Sequence, residues 1–163
     1  MVKNALKEKL QNGQVVYGPF MNCSYGSFIE IVGMTGFDYA IIDMEHGPLE
    51  VETAEDLCRA GQCGGLAPIV RVRKNDAPQI QRALDIGSAG VQVPQIETRA
   101  DAEAVVRAAK YQPLGMRGIS FYTRAGDYVV HVDHGIGQFI GLHKPNIDGN
   151  QREYLSIQYK NND

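Results

Sequence analysis

The sequence predicts an α/β fold of parallel strands, of the TIM (β/α)8-barrel type, with about the first four β/α units present and an irregular C-terminal tail after them. Three observations predict it. Short β-branched runs alternate with segments of helical period, which forces each strand to return parallel to the last. The strand runs are continuously apolar, as in sheets covered on both faces. A doubly wound sheet satisfies both patterns too. The first strand-to-helix turn, GPFMNCSYGS, favours the barrel, because it has no GxGxxG to cradle a pyrophosphate.

The elements follow in order. Asn4 starts a helix carrying Ala5, Leu6 and Leu10, and Asn12-Gly13 closes it. Val15 to Phe20 is the first strand. Ser24 to Met34 is helical, with Phe28, Ile31 and Val32 on one face. Gly36 turns the chain into a buried strand, Tyr39 to Ile42. Val51 to Cys63 is the next helix, stopped by Gly64-Gly65, and Pro68 to Val72 the third strand. Asn75-Asp76 caps a helix with Pro78 in its first turn and Ile80, Ala83 and Leu84 on its inner face. Gly90 to Pro94 is the fourth strand. Thr98 caps the last helix, with Asp101 as capping-box partner and Ala102, Val105, Val106 and Ala109 as its stripe. Residues 111–120 read as a turn-rich loop and 123–132 as ambiguous. From Asp133 the chain is crowded with Gly and Asn and holds no periodic segment. The expected organisation is therefore a partial β/α barrel domain over 1–132 and an irregular tail over 133–163, the latter from truncation or a frameshift, since a complete barrel needs roughly 200 to 250 residues.

Composition bounds the function classes. The 163 residues are 44% hydrophobic and 21% charged, with a net charge of −3, so no basic stripe suits nucleic acid or an anionic membrane. The longest apolar runs are too short to span a bilayer, and the N-terminus lacks the apolar core of a signal peptide. The expectation is a cytoplasmic protein. Three cysteines, Cys23, Cys58 and Cys63, have no CxxC spacing and read as small apolar residues rather than a disulfide or zinc framework.

In a barrel, function gathers where the strands end on their C-terminal side. The second strand ends in Asp43-Met44-Glu45-His46, two carboxylates and an imidazole suited to acid/base work or to support around a metal ion. A solvated polar loop is the alternative. The third strand ends at Arg71, whose planar fork suits an anionic substrate; a salt bridge to Asp43 or Glu45 is the alternative. Asp85 sits where a helix hands over to the fourth strand, the end of a barrel opposite to catalysis, and reads as a helix-end turn residue. Glu97, beside the Thr98 cap, reads as a first-turn acid rather than a metal ligand. No lysine lies within a strand, which argues against Schiff-base chemistry.

Four blocks, GFDYAIIDMEHGP (36–48), PIVRVRKND (68–76), RALDIGSAGVQVPQ (82–95) and AKYQPLGMRGIS (109–120), resemble the HpcH/HpaI aldolase/citrate lyase family, the 2,4-dihydroxyhept-2-ene-1,7-dioate aldolase-like class II pyruvate aldolases. The resemblance covers residues 4 to about 128, the N-terminal half of such a protein. It implies a carbon–carbon lyase that reversibly cleaves a 4-hydroxy-2-oxo acid to pyruvate and an aldehyde. By it, His46 is the general base or proton relay, Arg71 holds the pyruvate carboxylate with Gln95 as a further substrate-binding residue, Asp43 and Glu45 stand in the metal's outer shell, and Asp85 is a catalytic partner of the histidine. It also implies a divalent metal (magnesium, manganese or cobalt), a small oxo-acid such as pyruvate and a homo-oligomer. The family's two metal ligands, a glutamate in a QIE-type fifth strand and an aspartate ending the sixth, have no counterpart after Val132. Gln95-Ile96-Glu97 repeats the first in letters but falls in the fourth strand, so no first-shell ligand is assigned. The second expectation is a catalytically silent half-barrel that associates through its open edges.

Overall fold

The structure is a computed structural model that describes residues 4–118 and, beyond them, the backbone of 128–131, 135–143, 146–147, 150–151 and 154–158. Two compact units divide the chain, Lys3–Gly118 and one built from Ile119–Asp163.

In the first unit, α1 (Ala5–Gln11) starts where the Asn4 side chain accepts a hydrogen bond from Lys7 N, satisfying one of the free donors at a helix start. The same Asn4 side chain donates to Ala89 O (2.9 Å), and Lys9 pairs with Asp38. Both partners lie just before strands, so α1 is fastened at the N-terminal ends of the sheet and leaves the C-terminal ends uncovered. The sheet comprises β1 (Phe20–Met21), β2 (Tyr39–Asp43), β3 (Ala67–Arg71) and β4 (Gly90–Gln92), all parallel and in the order β1-β2-β3-β4. Between them run α2 (Gly26–Met34) and α3 (Val51–Cys63), then α4 (Ala77–Asp85), with α5 (Arg99–Ala109) after β4. Parallel strands joined through helices in sequence order are the repeating unit of a β/α barrel. The core lies between sheet and helices: Ile42, Val70, Leu57, Ile29 and Ile80 are fully buried, each such side chain contributing roughly 1.5–3 kcal/mol. Asp76 caps α4 through Gln79 N, and Thr98 and Asp101 form the expected capping box on α5.

Four sequence expectations are corrected. The first strand is not Val15 to Phe20 but two residues, because Pro19 has no N–H to donate; Tyr17 O and Pro19 O instead accept from Asp38 N and Ile41 N (both 2.9 Å). The inner face of α2 is not Phe28, Ile31 and Val32. Ile29 is wholly buried, Val32 is half-buried, and Phe28 and Ile31 are 53% and 57% exposed. The cause is glycine. A Cβ on Gly33 would lie 2.2 Å from Gly64 O, and one on Gly26 would touch Ala60, so α2 meets α3 along the Gly26–Ile29–Gly33 row, which a hydrophobic count does not register. Helix α5 turns Ala108 inward, with Val105 and Ala109 half-buried and Ala102 and Val106 exposed. With alanines all round this helix, its period leaves the inner edge open, and packing against α4 decides it.

The tail is the fourth correction. Where 133–163 reads as irregular, the second unit contains β5 (Tyr128–His131), β6 (Gly135–His143) and β9 (Tyr154–Gln158) in an antiparallel sheet ordered β5-β6-β9, with a register shift between Phe139 and Gly141. A two-stranded pair, β7 (Asn146–Ile147) and β8 (Asn150–Gln151), completes it. Such strands are specified by partners across the sheet rather than by local composition, so the many glycines concealed them. Of the segment read as ambiguous, 123–127 and 132 lie outside the described residues.

Candidate active site

The parallel register sets Asp43 directly opposite Arg71 at the C-terminal ends of β2 and β3. Asp43 is 1% exposed. A carboxylate so buried is costly unless paired. Here it accepts from Arg71 Nε (2.8 Å) and Nη2 (2.6 Å), one on each oxygen, and its Oδ1 also accepts from the backbone N–H of Glu45 (3.0 Å) and His46 (3.3 Å). The hydrogen bonds from Arg71 outweigh burial, which acts in the opposite sense, and hold the Asp43 carboxyl at about 2. Asp43 in turn raises the Arg71 pKa, keeping the guanidinium charged.

Glu45 joins the other two groups. Its Oε2 lies 3.2 Å from Arg71 Nη1 and its Oε1 3.7 Å from His46 Nε2, so one carboxylate stands between guanidinium and imidazole. The His46 side chain is 72% exposed, open to a ligand from solvent. The loop carrying it is folded tightly onto the strand end: a Cβ at Gly47 would lie 2.3 Å from Asp43 O. Arg73 pins the same loop, with Nε donating to Met44 O (3.1 Å) and Nη2 to Leu49 O (3.3 Å) and Glu50 Oε1 (2.7 Å). On the face of Arg71, the Phe20 ring centroid lies 4.8 Å from Cζ. Two of the five guanidinium N–H groups donate to Asp43 and Nη1 faces Glu45 Oε2, which leaves one N–H on each Nη for an incoming carboxylate.

Asp43, Glu45, His46 and Arg71 are thus brought together. Gln95 follows β4 at the same end of the sheet, exposed, in a left-handed turn (φ 56°). Asp85 is not in this group. It ends α4, which returns the chain to the start of β4, and pairs with Arg117 Nη2 at 2.5 Å; the Arg117 side chain is 9% exposed and stacks on Tyr111. Glu97 is exposed beside the cap, its backbone N–H donating to Asp101 (3.3 Å). Sequence reasoning missed Arg73 and Phe20. The i, i+2 spacing of Arg71 and Arg73 was the available signal for one, and Phe20 carried none beyond its place at a strand end.

The residues present do not fit a metal ion by themselves. Among the described residues no group of three or more His, Cys, Asp or Glu side chains could hold one, and both Asp43 and Glu45 turn their oxygens to Arg71.

A parallel β/α sheet with a carboxylate-held arginine and an exposed histidine at adjacent strand ends defines the class of β/α-barrel proteins. The comparisons are narrower. The family model for HpcH/HpaI aldolase/citrate lyase matches residues 17–153, most of the chain, which belongs to that family. The chain is 42% identical over 111 residues to 2-dehydro-3,6-dideoxy-6-sulfogluconate aldolase of Pseudomonas putida, covering 68% of this chain and 44% of the relative. It is 35% identical over 118 residues to hydroxypyruvate/pyruvate aldolase of Roseobacter denitrificans, covering 72% and 46%. The crystal structure of an HpcH/HpaI aldolase from Desulfitobacterium hafniense superposes with a TM-score of 0.67 at 34% identity, over 71% of this chain and 45% of that one. The chain spans about half the length of the curated relatives it matches.

Proposed function

We propose that the chain supplies the oxo-acid-holding part of a metal-dependent pyruvate aldolase, which reversibly cleaves a 4-hydroxy-2-oxo acid to pyruvate and an aldehyde. The supporting observation is the Arg71 guanidinium, charged and held by Asp43, one carboxylate away from the exposed His46 imidazole. The free edge of Arg71 binds the 2-oxo acid's carboxylate bidentately. His46 takes the proton from the C4 hydroxyl, the C3–C4 bond breaks, the aldehyde leaves, and the electron pair remains on pyruvate as its enolate, which is then protonated at C3. Synthesis is the reverse, and Glu45 orients the imidazole in both directions. Asp85 enters this reading as the histidine's partner through the family resemblance alone, and Gln95 as a second substrate contact. The resemblance also implies magnesium, manganese or cobalt and a homo-oligomer, and a cytoplasmic location is proposed beside them; among the described residues no helix is long and apolar enough to cross a membrane.

The test is pyruvate release from a 4-hydroxy-2-oxo acid by the purified chain, with manganese and with chelator, beside direct titration of pyruvate. Release that needs the metal and disappears in Arg71→Ala is the expected result. A chain that neither releases nor binds pyruvate overturns the reading.

A second reading, a catalytically silent chain that associates with itself or with other chains, is favoured by a separate observation. Phe20, Tyr25, Phe28 and Ile31 line an open apolar cleft of about 610 Å³ beside β1. Single surface apolars are ordinary, whereas contiguous patches mark association. Sedimentation of the chain distinguishes the readings, since a monomer inactive with every metal fits neither.

A further inference from the structure

We infer that Phe20 is a positioning residue for the oxo-acid clamp: the face of its ring sets the plane of the Arg71 guanidinium, so that the free edge of the fork meets the substrate carboxylate squarely. The inference rests on the proposed function and deepens it.

Three contacts act on Arg71, and they differ in direction. Asp43 bonds Nε and Nη2, and Glu45 faces Nη1. All of these lie along the guanidinium edge. A two-point edge contact fixes where the group sits but lets its plane hinge about the line joining the bonded atoms. Glu45, off that line at Nη1, limits the hinge from the edge, and a group against the flat face resists it from the perpendicular direction. Phe20 is such a group, its centroid 4.8 Å from Arg71 Cζ, within the range where a cation is attracted to the negative face of an aromatic ring.

The position of Phe20 agrees with this role. It opens β1, paired in register with Ile41, two residues before Asp43 on β2, so by the two-residue period its side chain shares the sheet face of Asp43 and Arg71. Its neighbour Met21 is 1% exposed and belongs to the core, whereas Phe20 is 50% exposed. Core packing therefore accounts for Met21 and leaves half of the Phe20 ring in solvent, stacked on a charge. A carboxylate bound in the plane of the fork needs both Nη donors coplanar with it. Tilting the plane spoils one of the two hydrogen bonds while leaving the charge in place. The consequence falls on oxo-acid affinity more than on fold.

The test compares Phe20→Leu, Phe20→Tyr and replacement of Phe20 by pentafluorophenylalanine, which keeps the ring's shape and removes its negative face. Two readouts are taken on the full chain: pyruvate affinity by titration, and rotation about the Arg71 Nε–Cζ bond by 15N spectra of the guanidinium. Phe20→Leu and the fluorinated ring are expected to weaken pyruvate binding about three- to tenfold and to speed that rotation, while Phe20→Tyr restores both. A purely structural ring would tolerate fluorination, so wild-type affinity or unchanged Arg71 rotation in the pentafluorinated protein overturns the inference. Should the native chain bind no pyruvate, the proposed function falls separately, and the Arg71 rotation alone decides the role of Phe20: faster rotation in the fluorinated protein upholds its hold on the guanidinium, and unchanged rotation overturns it.

Discussion

Replacing Asp43 by asparagine keeps the side chain's shape but removes the charge that Arg71 embraces. In the folded chain the Asp43 carboxyl titrates at about 2, against an ordinary 3.8. The difference, at 1.36 kcal/mol per unit, is about 2 kcal/mol of stability. The sign follows from the direction. A depressed carboxyl stabilises the fold above its unfolded value of 3.8, and the contribution is lost as pH falls through about 2. Asp43→Asn is therefore expected to be less stable than the native chain by about 2 kcal/mol at pH 5 to 7, by about half as much at pH 3, and to converge with it near pH 2. Urea unfolding of both proteins at pH 7, 5 and 3 measures this, with the midpoint compared at constant slope. A gap that stays constant down to pH 3 would refute the reasoning, because it would come from packing and not from the ion pair. So would a gap below about 0.5 kcal/mol at pH 7, since the paired carboxylate would then contribute no more than an exposed one.

Further outcomes follow from the same geometry. Arg71→Lys keeps a charge but loses the fork, so pyruvate affinity falls roughly tenfold or more in a titration. Gly33→Ala drives a methyl to within 2.2 Å of Gly64 O and should lower stability by about 1–3 kcal/mol in urea unfolding, with α2 and α3 forced apart. Asp85→Asn weakens the ion pair of the largely buried Arg117, whose Nε has no partner among the described residues, and should cost about 1–3 kcal/mol in the same assay. Asp76→Ala removes the cap on Gln79 N and should cost about 1 kcal/mol, without change in pyruvate affinity.

Alternation, apolar strand runs and caps were legible in the sequence because they are local. Asn4, Asp76 and Thr98 each stand where their helices begin, and α3 spans Val51–Cys63 as its period predicts. The Asp43-Met44-Glu45-His46 string and Arg71 were legible for a related reason: charge at the end of an apolar strand is conspicuous wherever the strand goes. What only the tertiary structure decided depends on neighbours far along the chain. Asp43 and Arg71 are 28 residues apart, and the β2–β3 register makes them partners, so that one edge of the guanidinium is committed to Asp43. The inner face of α2 was set by glycines touching α3, whose contribution is an absent side chain, invisible to a hydrophobic period. Asp85 and Arg117 meet across 32 residues, and Phe20 on β1 reaches Arg71 on β3 across the intervening β2. Residue types and their spacing carry the elements and the chemistry each can offer, whereas register and close packing choose which of those groups face one another, because both are properties of pairs that no single segment contains.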